Sequence, residues 1–168
     1  MYGPLVLAAS LMLAAAVSSA QTAPKPAPEA IIKISGEVAH PLTLRMAELA
    51  ATPHQNVSVA DDQHRQAHYE GIPVADLLRR AGVPLGKELR GPKMKLYALV
   101  KARDGYAAVF ALSEFDPGFT DRVILLVDQH DGHPLGNVEG PLRIIVPGEK
   151  RHARWVRQVV DIEIGTAR

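Results

Sequence analysis

The chain has 168 residues, a formal net charge of +1, 47% hydrophobic residues and no cysteine. That length and composition suit one globular domain with an adequate core, and the even charge balance excludes a general nucleic-acid binder. Without Cys there are no disulfides, no thiolate metal sites and no Cys nucleophiles, so stability rests on the core alone.

Residues 1–20 carry no charged side chain, and Leu5 to Val17 is an apolar run of the length found in secretory signals. Ser18-Ser19-Ala20 supplies small residues at the positions a signal peptidase reads. Cleavage after Ala20 is therefore expected, giving a periplasmic or secreted protein with no stable membrane span. An uncleaved anchor is the alternative. Residues 21–30 are rich in Pro and Ala and read as a flexible linker, leaving residues 31–168 as the single folded domain.

Ile31, Ile32 and Ile34 open the domain as a strand that ends at Gly36. Pro41 to Ala51 reads as a turn and a short helix, with Thr43 as N-cap and Met46, Leu49 and Ala50 on one side. Asn56 to Ala60 alternates as a strand, Asp61 to Gln66 is polar and turn-like, and Ala67 to Gly71 is the return strand. Pro73 then opens the clearest helix: Val74, Leu77, Leu78 and Ala81 share a face, and Gly82 suits the C′ position. Arg79 and Arg80 at its end read as solvated. Gly91 to Lys101 is expected to be a strand carrying Met94, Leu96, Ala98 and Val100 in alternation. Asp104-Gly105 signals a hairpin, returning as Tyr106 to Leu112. Ser113 reads as the cap of a brief helix containing Glu114, closed by Pro117-Gly118. Val123 to Val127 is the most apolar run and is expected to be a central strand, and Asp131-Gly132 turns again. Many short strands with a few short helices make an α+β domain.

The segment from Gly140 to Val159 holds the densest chemistry. Leu142, Ile144, Ile145 and Val146 form a buried-looking strand interrupted by Arg143, and a charge there is costly unless it is paired or reaches a ligand. Pro147-Gly148 stops the strand. Lys150, Arg151, His152 and Arg154 follow, then Trp155, Arg157 and a last strand through Val159, Ile162 and Ile164. A buried Arg with cations converging on one turn is how an anion site is built. The plain alternative is a solvated basic loop with Trp155 as a core plug.

Elsewhere the residue types read more simply. His130 and His133 flank a turn, and His64 and His68 span a turn and a strand, so no metal site is expected from them. Asp104 reads as a turn residue, Glu114 as support for a helix start, and Tyr69 and Tyr106 as half-buried strand residues with wet hydroxyls. There is no nucleophile elbow, P-loop or dinucleotide fingerprint.

Three segments in order, Tyr69 to Val83 (YEGIPVADLLRRAGV), Ala102 to Asp116 (ARDGYAAVFALSEFD) and Asp131 to Ile164, resemble the molybdopterin-binding domain of the sulfite oxidase family, especially its small stand-alone exported members. The likeness covers Ile31 to Ile164. It implies a mixed-sheet α+β fold with a β-grasp-like motif and short helices. It also implies a cofactor pocket in which Arg143, with Arg154, Arg157 and Lys150, would meet the phosphate of a pterin. Two departures stand out. Glu139-Gly140 occupies the place where the family often has Asn-Gly. The family's molybdenum-ligating Cys, counted back from the aromatic-x-Gly matched by Tyr69-Glu70-Gly71, falls near Val59.

The resemblance therefore implies molybdopterin as a cofactor, while the missing thiolate argues that none is bound and that no metal ligand is present. The expected function is that of a non-catalytic or atypical relative binding a small anionic ligand or a periplasmic protein partner. The alternatives are a molybdenum oxidoreductase with a non-Cys ligand such as Asp61 or His64, and a structural module without a ligand.

Overall fold

A computed structural model describes residues 31–60 and 65–168. The expected export signal, the linker and the Asp61 to His64 part of the polar turn lie outside the described residues. Among the described residues, no helix is long and apolar enough to cross a membrane.

The architecture is mixed α+β, with two five-stranded sheets and few short helices. The first sheet contains β1 (Ile31–Gly36), β2 (Leu42–Arg45), β5 (Leu96–Ala102), β6 (Ala107–Ala111) and β10 (Val159–Thr166), in the order β2-β1-β10-β5-β6. The first and last strands of the domain pair in parallel, Ile34 beside Ile162, so the two ends of the fold close on each other. The second sheet runs β3 (Gln55–Ala60), β4 (Gln66–Pro73), β7 (Leu125–His130) and β8 (His133–Pro134), and β9 (Arg143–Ile145) also pairs with β7. Of the apolar run expected as a strand from Val123, Leu125 to Val127 lie in β7 and pair with β4 and β9, while Val123 and Ile124 precede the strand and β8 pairs beyond the run, at Gln129 and His130. Buried residues of both sheets and of the helix α2 form one continuous core.

Local chemistry explains the elements that position the site. The helix α2 (Val74–Arg80) is preceded by Pro73 and buries Val74, Leu77 and Leu78 completely. It ends in a Schellman motif: Val83 N–H bonds Leu78 O and Gly82 N–H bonds Arg79 O, with Gly82 at φ +72°. Arg79 pairs with Asp76 on the exposed face. Asp131 and Gly132 both have positive φ, the backbone that a two-residue hairpin of the right twist requires. The β5–β6 hairpin uses a three-residue loop with Gly105 in the left-handed region, and Asp104 Oδ1 accepts from Tyr106 N–H at 2.9 Å.

Three expectations need correction. Leu42–Arg45 is a strand, and the short helix α1 (Met46–Ala50) starts after it; Glu48 accepts from Arg45 N–H, and Thr43 lies in mid-strand. Pairing with β1 along Leu42 to Arg45 outweighs the capping preference of one Thr. Gly91–Lys95 is a 3₁₀ turn rather than the start of a strand, with Met94 44% exposed. The brief helix after β6 is a 3₁₀ turn capped at Ala111, with Ser113 inside it, and Glu114 accepts from Ala111 N–H at 3.0 Å.

A buried carboxylate that the sequence did not single out joins two loops. Asp116 accepts from Gly86 N–H at 2.5 Å and Gly118 N–H at 2.8 Å. The deepest apolar contacts remain those of α2. Leu78→Ala should cost about 2–5 kcal/mol in denaturant unfolding. A much smaller loss would mean that the helix does not bury the face assigned to it.

Candidate ligand-binding site

Arg143 is the centre of the site. Strand β9 places it opposite Val127 on β7, flanked by Leu142 and Ile144, and it is 3% exposed. Its charge is compensated within the fold. Nη1 donates to Glu139 Oε1 at 2.5 Å and to the Tyr69 hydroxyl at 3.2 Å. Its guanidinium carbon lies 5.4 Å from the Trp155 ring centre and 5.7 Å from that of Tyr69, within range of the attraction between a cation and a ring face. Tyr69 is itself 2% exposed, so its hydroxyl is not wet as expected; it is held by the guanidinium.

The aromatic groups around this Arg are ordered by each other. His130 stacks on Tyr69 at 4.4 Å, and its Nδ1 lies 3.7 Å from Glu139 Oε2. Trp155 meets Tyr69 edge-on at 6.2 Å, stacks with His152 at 3.6 Å, and donates its indole N–H to Val146 O at 3.1 Å. Glu139 reaches Arg143 across the cis Gly140–Pro141 turn. Gly140 is required there by close approach, since a Cβ would stand 2.8 Å from Leu135 Cβ and O.

The guanidinium is not fully satisfied by these partners. Nε is buried without a hydrogen-bond partner, and neither Nε nor Nη2 bonds any described residue. Arg143 forms part of the wall of a cavity of about 210 Å³, together with Asp104, Tyr106, His152, Trp155 and Arg157. The floor is the buried Arg143 and Trp155, and the rim is the exposed Asp104, Tyr106 and Arg157. A second cleft of about 760 Å³ lies on the other side of His152 and Trp155, lined by Ser58, Val59, Ala60, Lys150 and Arg151 among others.

The four cations grouped by sequence therefore occupy three places. Arg143 and Arg157 share the small cavity. Lys150 lines the larger cleft beside Val59. Arg154 lines neither of these cavities. It is clamped by Glu114, with Nη1 and Nη2 donating at 3.0 and 2.8 Å, and by Glu149, with Nε donating at 2.8 Å. Its guanidinium also covers the Phe110 ring at 4.5 Å. The Glu114 hydrogen bonds, opposed by burial and helped by Glu149, raise its pKa further above an already high range. Arg154 Nη1 also approaches Val109 O at 3.5 Å, so the clamp covers part of the outer edge of β6. Sequence reasoning missed Tyr69 and Glu139 as partners of Arg143. The only available signal for Glu139 was a carboxylate four residues before a strand Arg.

Residues 21–168 match the family described as the oxidoreductase molybdopterin binding domain. The chain belongs to that family. Among solved structures it is similar to the sulfane dehydrogenase SoxCD from Paracoccus pantotrophus, with a TM-score of 0.64 and 20% identity over 80% of this chain. The chain spans 38% of the length of that protein, and the likeness is one of fold. No curated protein sequence matches the chain.

Whether this family member can hold molybdenum is a question about its donors. Val59, near which the resemblance places the ligating Cys, is an aliphatic residue lining the 760 Å³ cleft and is 9% exposed. Ser58, beside it, is engaged with His68 Nδ1 at 2.8 Å. The sequence has no Cys at all, and no three His, Asp or Glu gather to hold an ion among the described residues. A metal that takes a soft thiolate elsewhere in the family finds no such donor here. The described residues do not fit the metal.

The compensation of Arg143 is open to direct test. Glu139→Gln should destabilise the fold by about 1–3 kcal/mol and Tyr69→Phe by about 1 kcal/mol, each read from urea unfolding at constant m-value. If Glu139→Gln left stability unchanged, the guanidinium charge would have to be balanced by a group other than Glu139.

Proposed function

We propose that this protein is an exported, atypical member of the molybdopterin-binding domain family that has kept the scaffold and a ligand cavity but not molybdenum itself, and that it binds a small anionic ligand at Arg143. The observation that carries this reading is a buried Arg with an unpartnered Nε in the wall of a cavity. A guanidinium in a cavity wall is a directional partner for a planar oxyanion. Most of a fold's buried donors have partners, so a vacant one beside a cavity is a functional indication. Export rests on the apolar residues 5–17 and the small residues before Gln21.

A second reading, a molybdenum oxidoreductase with a non-Cys ligand, is favoured by family membership. It would need Asp61 or His64, which follow closely on Val59 in the chain, to supply the metal ligand. Cationic neighbours can hold a phosphate tail, but they cannot replace that ligand.

Metal analysis separates the two. Protein purified from a host that makes the cofactor should carry no stoichiometric molybdenum and show no sulfite- or sulfoxide-type activity. The Val59→Cys variant, which places a thiolate in the larger cleft, should acquire molybdenum if the scaffold still accepts the pterin. About one molybdenum per chain in the unmodified protein would overturn the proposal and establish a non-Cys ligand.

A further inference from the structure

We propose that the loop from Lys87 to Lys95 is a docking surface for an anionic lipid membrane, with its four cations over the headgroups and Met94 at the boundary of the acyl chains. The surface is separate from the Arg143 cavity.

Charge is the first observation. The chain as a whole is balanced, with 19 Lys and Arg against 18 Asp and Glu. Between residues 87 and 95 that balance is lost: Lys87, Arg90, Lys93 and Lys95 stand against a single carboxylate, Glu88. All five side chains are exposed. Glu88 lies 3.6 Å from Lys93 with both well open to solvent, so this contact contributes little. The side chains of Lys87, Arg90 and Lys95 have no partner among the described residues. Asp116, which lines the same depression as Lys87 and Glu88, is buried and accepts from Gly86 and Gly118 N–H. Its charge is turned inward.

The second observation is the apolar groups set among these cations. The loop is built from two 3₁₀ turns, Gly86–Glu88 and Gly91–Lys95. Leu89 between them is 2% exposed and pins the loop to the core, and Lys93 N–H bonds Arg90 O. The backbone is thus fixed while the long side chains remain in solvent. Met94 is 44% exposed between Lys93 and Lys95. Phe119, 52% exposed, lines the depression it shares with Lys87. Apolar side chains interleaved with Lys and Arg suit a bilayer surface, where the cations meet headgroups and the apolar groups enter the acyl boundary. A protein partner asks for other chemistry. Interfaces between proteins are depleted in Lys and anchored by aromatic groups in pockets, whereas three of the four cations here are Lys.

The third observation is position. Strand β5 leads from this loop to Ala102, which lines the Arg143 cavity. At about 3.3 Å per residue the strand separates loop and cavity by roughly 20 Å. Docking through the loop therefore leaves the cavity clear of the lipid.

The test is flotation of the full chain with vesicles of phosphatidylcholine alone and of phosphatidylcholine mixed equally with phosphatidylglycerol. Any hydrophobic pull of residues 5–17 is common to both, and Lys25 and Glu29, the charged side chains of residues 1–30, cancel. The mixed vesicles should bind roughly a hundredfold more tightly at low salt, since each cation near such a surface is worth about fivefold and the loop has three in net excess. The preference should shrink as salt shortens the Debye length. Lys93→Gln combined with Lys95→Gln, both at exposed positions, should reduce it about 25-fold with the unfolding curve unchanged. Met94→Trp should give a blue-shifted emission on mixed vesicles, where the unmodified protein, with only the buried Trp155, should give none. Equal binding to the two kinds of vesicle, or a preference that survives the double substitution, would overturn the proposal. Displacement by inorganic phosphate beyond that caused by chloride at equal ionic strength would reveal a phosphate site and overturn it as well. An unshifted spectrum for Met94→Trp would overturn the role given to Met94.

Discussion

A guanidinium held in the core by two aromatic rings and one carboxylate is the constraint around which the rest of this domain is arranged. An ion at 3% exposure is tolerated only where its charge is balanced. The balance at Arg143 draws on separate parts of the chain: Tyr69 from β4, Glu139 from the loop before β9, and Trp155 from the segment after it. Each of these is fixed in turn, Tyr69 by His130 and Trp155 by His152 and Val146 O. One buried charge thereby specifies the relative placement of β4, β7, β9 and the turn at Gly140. A hydrophobic side chain at position 143 could be accommodated by the apolar neighbours, but it would leave Glu139 and the Tyr69 hydroxyl without the partner they converge on.

The basic loop between β9 and β10 owes its position to a different pair of interactions. Arg154 is drawn to the first sheet by Glu114 and Phe110, and Trp155, the next residue, leans on Tyr69 of the second sheet. Adjacent residues thus hold opposite sheets. Glu149 serves both loop and clamp, since it lies in the loop and accepts from the same guanidinium. The result is a partition: His152 and Trp155 are the wall common to the small cavity at Arg143 and the larger cleft at Val59. Cations that look like one cluster in the sequence are sorted by this wall into a pair lining the small cavity, a cleft residue and a structural clamp.

Much of the fold was legible before the structure, and the reasons are local. The face of α2, its Gly82 stop, and the hairpins at Asp104-Gly105 and Asp131-Gly132 are each fixed by a handful of neighbouring residues. The resemblance identified both the mixed α+β fold and the family. What failed was decided by partners distant in sequence. Leu42 to Arg45 became a strand because β1 was available to pair with it, and Met94 fell outside its strand because Gly91 and Pro92 start a 3₁₀ turn. The burial of Arg143 could be read from its apolar flanks. Its carboxylate could not, because Glu139 reaches it across the turn at Gly140–Pro141 rather than along a helix, where such a spacing would have been a recognised pair. Tyr69 was misjudged for a related reason: strand alternation says which face a residue takes but not how deeply that face is covered.

The two halves of a cofactor site make different demands, and this chain separates them. Binding an anionic tail asks for oriented donors, which a buried Arg can provide as a by-product of core specificity. Holding a soft metal asks for one particular donor atom, and no rearrangement of charge substitutes for it. At position 59, near where the resemblance places the family's thiolate, an aliphatic side chain lines the larger cleft, while the guanidinium at position 143 keeps an unpartnered Nε in the wall of its cavity. Drift toward a purely structural role would be expected to erase the second feature as well as the first, since an unsatisfied buried donor is destabilising and is removed by any substitution that fills or pairs it. An unpartnered Nε in a cavity wall is therefore what favours the proposed ligand-binding role over a purely structural one.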